Sequence, residues 1–166
     1  LEEDSLENAV WLDQIYNPYN YIGQEALGEE IFAQLDGHID AVGCSTSSGA
    51  SLYGMIRGLQ HNGVRPEVIF GVEPEGSEKF FDFEGKEAQY GEFQVSDAKT
   101  EIAEAVGLKK WVQEEAIVDK LMKDGYPDQF FCISDEEARA MANRLCREEG
   151  IFCGMSSGAN VAAALK

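Results

Sequence analysis

The segment from Ile39 to Glu73 constrains the fold most, because it reads as one strand–turn–helix–strand unit. Apolar strands are predicted at Ile39–Cys44 and at Val68–Val72. Between them, apolar residues recur at the i, i+3, i+4, i+7 spacing of a helix face, at Leu52, Met55, Ile56 and Leu59. About 30 residues suffice for a βαβ unit, in which a helix connects two parallel strands. The sequence therefore predicts an α/β fold.

The turn Ser45–Ser51 lies between the first strand and the helix. Its backbone N–H groups, small side chains and hydroxyls would stand at the positive end of the helix, which favours a phosphate. The chain has a net charge of −18, yet Gly37–Val64 contains only Asp40 as an acid, together with Arg57. A dianion could therefore approach without meeting a carboxylate. The alternative is a serine-capped turn that binds nothing.

The composition predicts one globular α/β domain over residues 1–166. An excess of 31 acidic over 13 basic residues argues against nucleic acid and anionic membranes as partners. The chain contains no run of 18 apolar residues, so we expect no membrane span. The first residues are acidic, whereas a signal peptide would begin with basic residues. The four cysteines lack C-x-x-C spacing, so we expect no metal site, and reduced thiols fit the cytoplasm.

The rest of the chain continues the alternation of helices and strands. Helices are predicted at Gln24–Leu35 and at Ser134–Glu149, where Ser134 and Glu137 match a capping box. Strands are predicted at Gln129–Ile133 and Ile151–Gly154. The remaining interpretations are a strand at Ala9–Leu12, a loop at Asp13–Asn20, an irregular excursion at Glu75–Asp97, a helix at Glu101–Glu115 and an ambiguous segment at Ile117–Met122.

A second Ser/Gly turn, Met155–Ala159, follows the last predicted strand. The alternation favours an open, mostly parallel sheet with helices on both faces. Ligands bind such sheets at the carboxyl ends of the strands, where both Ser/Gly turns are expected. Two turns can hold opposite ends of one ligand.

Four motifs in this order resemble the cysteine synthase family, which comprises pyridoxal-phosphate enzymes of the tryptophan-synthase-β-like fold. The family patterns are Q-F-x-N-P-A-N, G-T-G-G-T, G-V-E-P and E-E-G-x-x-x-G-x-S-S-G-A. The matching segments are Gln14–Asn20, Ser47–Ser51, Gly71–Pro74 and Glu148–Ala159. The similarity covers nearly the whole chain but only the C-terminal part of a family member.

The resemblance implies pyridoxal 5'-phosphate as the cofactor and assigns residues to it. The phosphate cup would be formed by Ser47, Ser48, Gly49, Ala50 and Ser51. Ser156 matches the serine that hydrogen-bonds the pyridine nitrogen, and Gln14 matches a glutamine that helps hold the substrate carboxylate. A neutral hydroxyl at the ring nitrogen would leave it unprotonated, which favours β-elimination and replacement over transamination. Alternatively, Gln14 only bonds its loop and Ser156 only caps a helix.

The chain departs from the family in three places. The family's Schiff-base lysine and its loop for the substrate carboxylate lie in an N-terminal segment, and no lysine here matches that motif. The chain alone is therefore expected to be inactive. The G-I-G-A-G-F stretch is replaced by Glu101–Leu108, which leaves the exact substrate open. The cup reads S-S-G-A-S, which keeps hydroxyls but gives less backbone freedom.

The resemblance implies a β-replacement reaction in the full-length enzyme. O-acetylserine would lose its β-substituent and sulfide would add to give cysteine, with the missing lysine as general acid and base. The partners would be a small amino-acid substrate and a second copy of the chain in a homodimer. The alternatives are a cystathionine-β-synthase-like or related enzyme, a non-catalytic truncated binding module, and a nucleotide-binding Rossmann domain. The last is disfavoured because no G-x-G-x-x-G is present.

Overall fold

The computed structural model describes residues 12–75 and 116–166. Predictions for Ala9–Leu12, Glu75–Asp97 and Glu101–Glu115 lie wholly or almost wholly outside these ranges. None of the described helices is long and apolar enough to cross a membrane. The described elements are α1 Pro18–Gln34, β1 Ala41–Ser45, α2 Ala50–His61, β2 Val68–Pro74, α3 Ile117–Lys123, β3 Gln129–Ile133, α4 Asp135–Glu148 and α5 Met155–Ala164.

The three described strands form a parallel sheet in the order β1-β2-β3. Cys44 of β1 pairs with Gly71 of β2, and Val72 of β2 pairs with Phe131 of β3. All three strands point the same way, so their carboxyl ends share one edge of the sheet. The predicted parallel sheet is confirmed.

Helices cover both faces of this sheet, as predicted. Side chains alternate along β2, so Ile69 packs into the apolar cluster formed with α1, α2 and α3. Phe70 and Val72 pack on the opposite side, against α4 and α5. Burial on both faces explains why β2 is a continuous apolar run rather than an alternating one.

Glycines allow close contact within two pairs of helices, α1 with α2 and α4 with α5. A Cβ at Gly58 of α2 would lie 2.1 Å from the carbonyl oxygen of Glu25 in α1. A Cβ at Gly158 of α5 would lie 2.1 Å from the carbonyl oxygen of Ala138 in α4. These contacts require glycine for space, and the second one sets the position of the start of α5.

The helix α1 begins six residues before the predicted Gln24. Asn17 is its N-cap, with a side-chain oxygen that accepts from the Tyr19 N–H at 3.0 Å. Pro18 is the first helical residue, where its missing N–H costs nothing. The predicted loop Asp13–Asn20 is therefore wrong for its last three residues, which belong to α1.

The predicted strand Ile151–Gly154 is also wrong, because this segment joins none of the described strands. Ile151 donates its N–H to the Leu145 carbonyl at 3.0 Å, which ties it to the end of α4. Its apolar side chains face solvent, at 54% exposure for Ile151 and 93% for Phe152. The second Ser/Gly segment differs too, because α5 begins at Met155 and Ser156 lies in its first turn.

The helix α4 matches its prediction closely. The Ser134 hydroxyl accepts from the Glu137 N–H at 3.2 Å, and the Glu137 carboxylate accepts from the Ser134 N–H at 3.0 Å. This reciprocal pair is the predicted capping box. Gly150 follows the helix in the left-handed region, with φ 70°. The ambiguous segment after residue 116 is a helix, α3.

Candidate active site

A cavity of about 270 Å³ lies at the carboxyl edge of the sheet, where the three strand ends meet the starts of α4 and α5. This is the edge at which ligands bind open α/β sheets. Both Ser/Gly segments contribute to it. Its lining residues are Ser45, Thr46, Ser47, Val72, Glu73, Pro74, Ile133, Asp135, Ala138, Met155, Ser156 and Ala159.

Two hydroxyls of the cavity wall donate their proton within the protein. The Ser45 Oγ donates to the Asn160 Oδ1 at 2.6 Å, and the Thr46 Oγ1 donates to the Cys44 carbonyl at 3.0 Å. Ser47 and Ser156 make no side-chain hydrogen bond with any other described residue. Their hydroxyls are therefore the ones that this wall offers to a ligand.

The helix α5, whose first residues Met155 and Ser156 line the cavity, begins without a side-chain cap. α2 and α5 have no side-chain cap and no acidic residue in the first turn. α1 is capped by Asn17, and α4 has both its capping box and three acidic residues. Uncapped N–H groups at the positive end of a helix favour an anion. Of these two ends, that of α5 stands at the cavity, whereas α2 begins three residues after the lining residue Ser47 and its Ala50 N–H donates to the Ser48 Oγ at 3.4 Å.

Gly49 precedes α2 in the left-handed region, with φ 79°. A Cβ there would lie 3.2 Å from the Leu121 Cδ2 and 3.3 Å from the Val118 Cα. The position therefore requires glycine both for its backbone conformation and for its contact with α3. This packing fixes the turn from which α2 starts.

The other walls of the cavity are apolar and acidic. Val72, Ile133 and Met155 supply apolar surface of the kind that covers the faces of an aromatic ring. Glu73 is 2% exposed and lies in β2, one residue before the strand ends. Asp135 is the first residue of α4, which follows β3. The central strand β2 thus separates Asp135 from the hydroxyls that follow β1, which makes the β1 side the one suited to a phosphate.

The remaining predicted site residues do not line this cavity. Ser48 accepts from the Ala50 N–H at 3.4 Å, Ala50 is buried in the core and Ser51 is exposed. Gln14 is exposed, and its loop is joined to α3 by the bond from the Ile117 N–H to the Ile15 carbonyl at 2.9 Å. The structure brings Ser47 and Ser156 together, and the roles of all these residues stay predictions.

Several residues that line or support the cavity were not predicted as site residues. Ser45 and Thr46 belong to the Ser-rich segment but were not singled out, and Glu73 lies inside the G-V-E-P match. Asn160 gave no signal, because its partner is 115 residues away. Burial raises the pKa of the Cys44 thiol, which keeps it protonated and argues against a thiolate role. Among the described residues, no cluster of three His, Cys, Asp or Glu side chains could hold a metal ion.

The sequence model of the family described as "pyridoxal-phosphate dependent enzyme" matches residues 1–166. The chain belongs to this family of pyridoxal-phosphate-dependent enzymes. The predicted cofactor and family are confirmed. Ser47 and Ser156 on one cavity with an apolar wall, beside the uncapped start of α5, fit a flat ring that carries a phosphate.

Curated relatives carry two names. Cysteine synthase 1 of Emericella nidulans is 35% identical over 97% of this chain and 41% of its own length. Cysteine synthase A of Escherichia coli K12 is 32% identical over 96% of this chain and 46% of its own. Cystathionine beta-synthase of Mus musculus is 30% identical over 99% of this chain and 27% of its own. The chain thus spans less than half the length of these relatives.

A solved structure supports the fold. The crystal structure of O-acetylserine dependent cystathionine beta-synthase from Helicobacter pylori superposes with a TM-score of 0.66 at 24% identity. The match covers 98% of this chain and 46% of that one. The tryptophan-synthase-β-like fold class is confirmed.

Proposed function

We propose that the protein containing this chain forms cysteine, as the names of the cysteine synthases that resemble it state of those proteins, and that it does so by a β-replacement on an activated serine. This chain would supply the phosphate site and the ring-nitrogen partner. The observation that carries the proposal is the convergence of Ser47 and Ser156 on one cavity with an apolar wall.

The β1 side of the cavity suits the phosphate of the cofactor. The N-cap residue of α2, Gly49, makes no side-chain cap bond, no carboxylate lies in the first turn of this helix, and the Ser47 hydroxyl has a proton to donate. Charge-assisted hydrogen bonds from such donors bind phosphate strongly. Ser48, Gly49, Ala50 and Ser51 would complete this cup through their backbone and hydroxyls.

The α5 side suits the ring. Bound pyridoxal phosphate supplies the electron-withdrawing ring that eases departure of a β-substituent. Ser156 would orient the ring by a hydrogen bond to its nitrogen, and Met155 and Ile133 would cover the ring and exclude water. A neutral hydroxyl at this position keeps the nitrogen unprotonated, in line with replacement rather than transamination. Gln14 would contact the substrate carboxylate.

O-acetylserine and sulfide are the proposed substrates, and cysteine is the product. The enzyme would be a transferase whose first step, the loss of the β-substituent, is of the kind that lyases catalyse. A cystathionine-forming reaction is the second candidate, because relatives with that name match the same share of the chain at similar identity. The two candidates differ in the nucleophile, sulfide against a thiol amino acid. A homodimer is proposed from the family resemblance, and a cytoplasmic location from the four cysteines, which fit reduced thiols.

The deciding experiment is an absorbance titration of the full-length protein with pyridoxal phosphate, then with O-acetylserine or serine. A bound-cofactor band that shifts with O-acetylserine, followed by cysteine formation with sulfide, is expected. Ser156→Ala should shift the band and lower turnover, whereas the neighbouring Ser157→Ala should do neither. Failure of the full-length protein to bind the cofactor would refute the proposal. Faster turnover with homocysteine than with sulfide would favour the second candidate.

The chain on its own is expected to bind the cofactor without turnover, because none of its lysines matches the Schiff-base motif. Turnover by residues 1–166 alone, measured as cysteine released from O-acetylserine and sulfide, would show that this expectation is wrong.

A further inference from the structure

The two sides of the cavity are joined by one short hydrogen bond between side chains distant in sequence. The Ser45 Oγ donates to the Asn160 Oδ1 at 2.6 Å, and the Ser156 carbonyl oxygen lies 3.5 Å from the same Oγ. Ser45 is the last residue of β1, directly before Thr46 and Ser47. Asn160 lies in α5. The bond thus links the serine-rich turn to the helix that presents Ser156.

We propose that Ser45 and Asn160 are a positioning pair that sets the separation between the phosphate site at Ser47 and the ring-nitrogen partner Ser156. This inference rests on the proposed function. Neither member is assigned to the cofactor by its motif. Both act through the residues next to them rather than through contact with the ligand.

The placement of Asn160 makes this role direct. Asn160 follows Ser156 by four residues, so the two lie on the same face of α5, one turn apart. A displacement of one therefore moves the other. In the same way, Ser45 is only two residues before Ser47, and the bond from the Thr46 N–H to the Val72 carbonyl at 2.9 Å holds the backbone between them.

Few other contacts could replace this link. Among the described residues, the Ser45 hydroxyl makes all the hydrogen bonds that join the serine-rich turn to α5. The rest of α5 packs by small alanine side chains against α4 and the sheet. These contacts hold α5 against α4 and the sheet, but they are not directional and do not reach the serine-rich turn. A directional bond between half-buried groups supplies what the packing lacks.

The geometry also explains why Ser45 is not itself a ligand to the phosphate. A serine hydroxyl has one proton, and the 2.6 Å distance assigns it to Asn160. Toward the cavity Ser45 therefore presents only lone pairs, which repel a phosphate oxygen. Loss of Ser45 should accordingly act by releasing α5 rather than by removing a phosphate donor.

The test uses the full-length protein stripped of cofactor and titrated with pyridoxal phosphate. Ser45→Ala and Asn160→Ala should each raise the dissociation constant about fivefold, the usual effect of one hydrogen bond. The double variant should also raise the dissociation constant about fivefold, rather than by the product of the two single effects, because the residues act as one unit. Ser45→Thr keeps the donor and should stay within twofold of the wild type.

A spectroscopic readout separates positioning from stability. Induced circular dichroism of the bound cofactor at saturation reports ring orientation, and it should fall in both alanine variants. It should stay unchanged in the control Ser157→Ala, which removes a hydroxyl from the same helical turn. Dissociation constants within twofold of the wild type, unchanged dichroism, or fully multiplicative losses in the double variant would overturn the proposal. A wild type that binds no cofactor would instead refute the proposed function itself.

Discussion

Replacing Gly158 by alanine tests the link between helix packing and the site. The added Cβ would lie 2.1 Å from the Ala138 carbonyl oxygen and 2.9 Å from the Ala142 nitrogen. Carbon and oxygen atoms normally approach to about 3.3 Å, so α5 must move from α4 by roughly 1 Å. Overpacking of this kind costs about 1–3 kcal/mol. The displaced segment includes Ser156, two residues earlier.

The matched control is the same substitution at Gly23, inside α1, where a Cβ would meet nothing within 4 Å. There alanine should stabilise the protein by about 0.5–1 kcal/mol, because glycine is a poor helix former. Urea denaturation of the full-length protein measures both changes. G158A should lower the midpoint and weaken pyridoxal phosphate binding, and G23A should raise the midpoint and leave binding unchanged.

Two results would refute this reasoning. A G158A protein with an unchanged midpoint would show that α4 and α5 separate at no cost. A G158A protein that is destabilised but binds the cofactor as the wild type does would show that the α4–α5 contact does not position Ser156.

Three further predictions concern stability. Gly49→Ala should cost about 1–2 kcal/mol in urea denaturation, because φ is 79° there, and should weaken cofactor binding. Hydrogen bonds from Lys166 and from Ser134 lower the pKa of Glu137 to about 2, so this contribution to stability is present above pH 4.5 and is lost as the pH falls toward 2. Glu137→Gln should flatten the dependence of the melting temperature on pH in this range. An unchanged slope would contradict the prediction. Burial, with the hydrogen bond to Asp124, raises the pKa of Tyr53 to about 12 from 10, so stability should fall between those values. Tyr53→Phe should abolish that fall, and a melting temperature that still drops in this variant would assign the effect elsewhere.

Local signals predicted much of the fold. The capping box at Ser134 and the stop at Gly150 defined α4, because caps and left-handed glycines depend on a few adjacent residues. The apolar runs defined β2 and β3, since strands buried on both faces need no alternation. The start of α1 was missed because Asn17-Pro18 suits both a loop and a helix start.

Periodicity and turn chemistry are properties of neighbouring residues, so they predicted the α/β class, the parallel sheet and the two serine-rich segments without any tertiary information. The ordered motifs identified the family in the same way. The hydroxyls that remain available to a ligand depend instead on how distant elements pack. Ser45 and Thr46 donate within the protein, whereas Ser47 and Ser156 face the cavity without such a bond to any described residue. That selection depends on Asn160, which lies 115 residues from its partner and reaches it only when α5 packs beside β1.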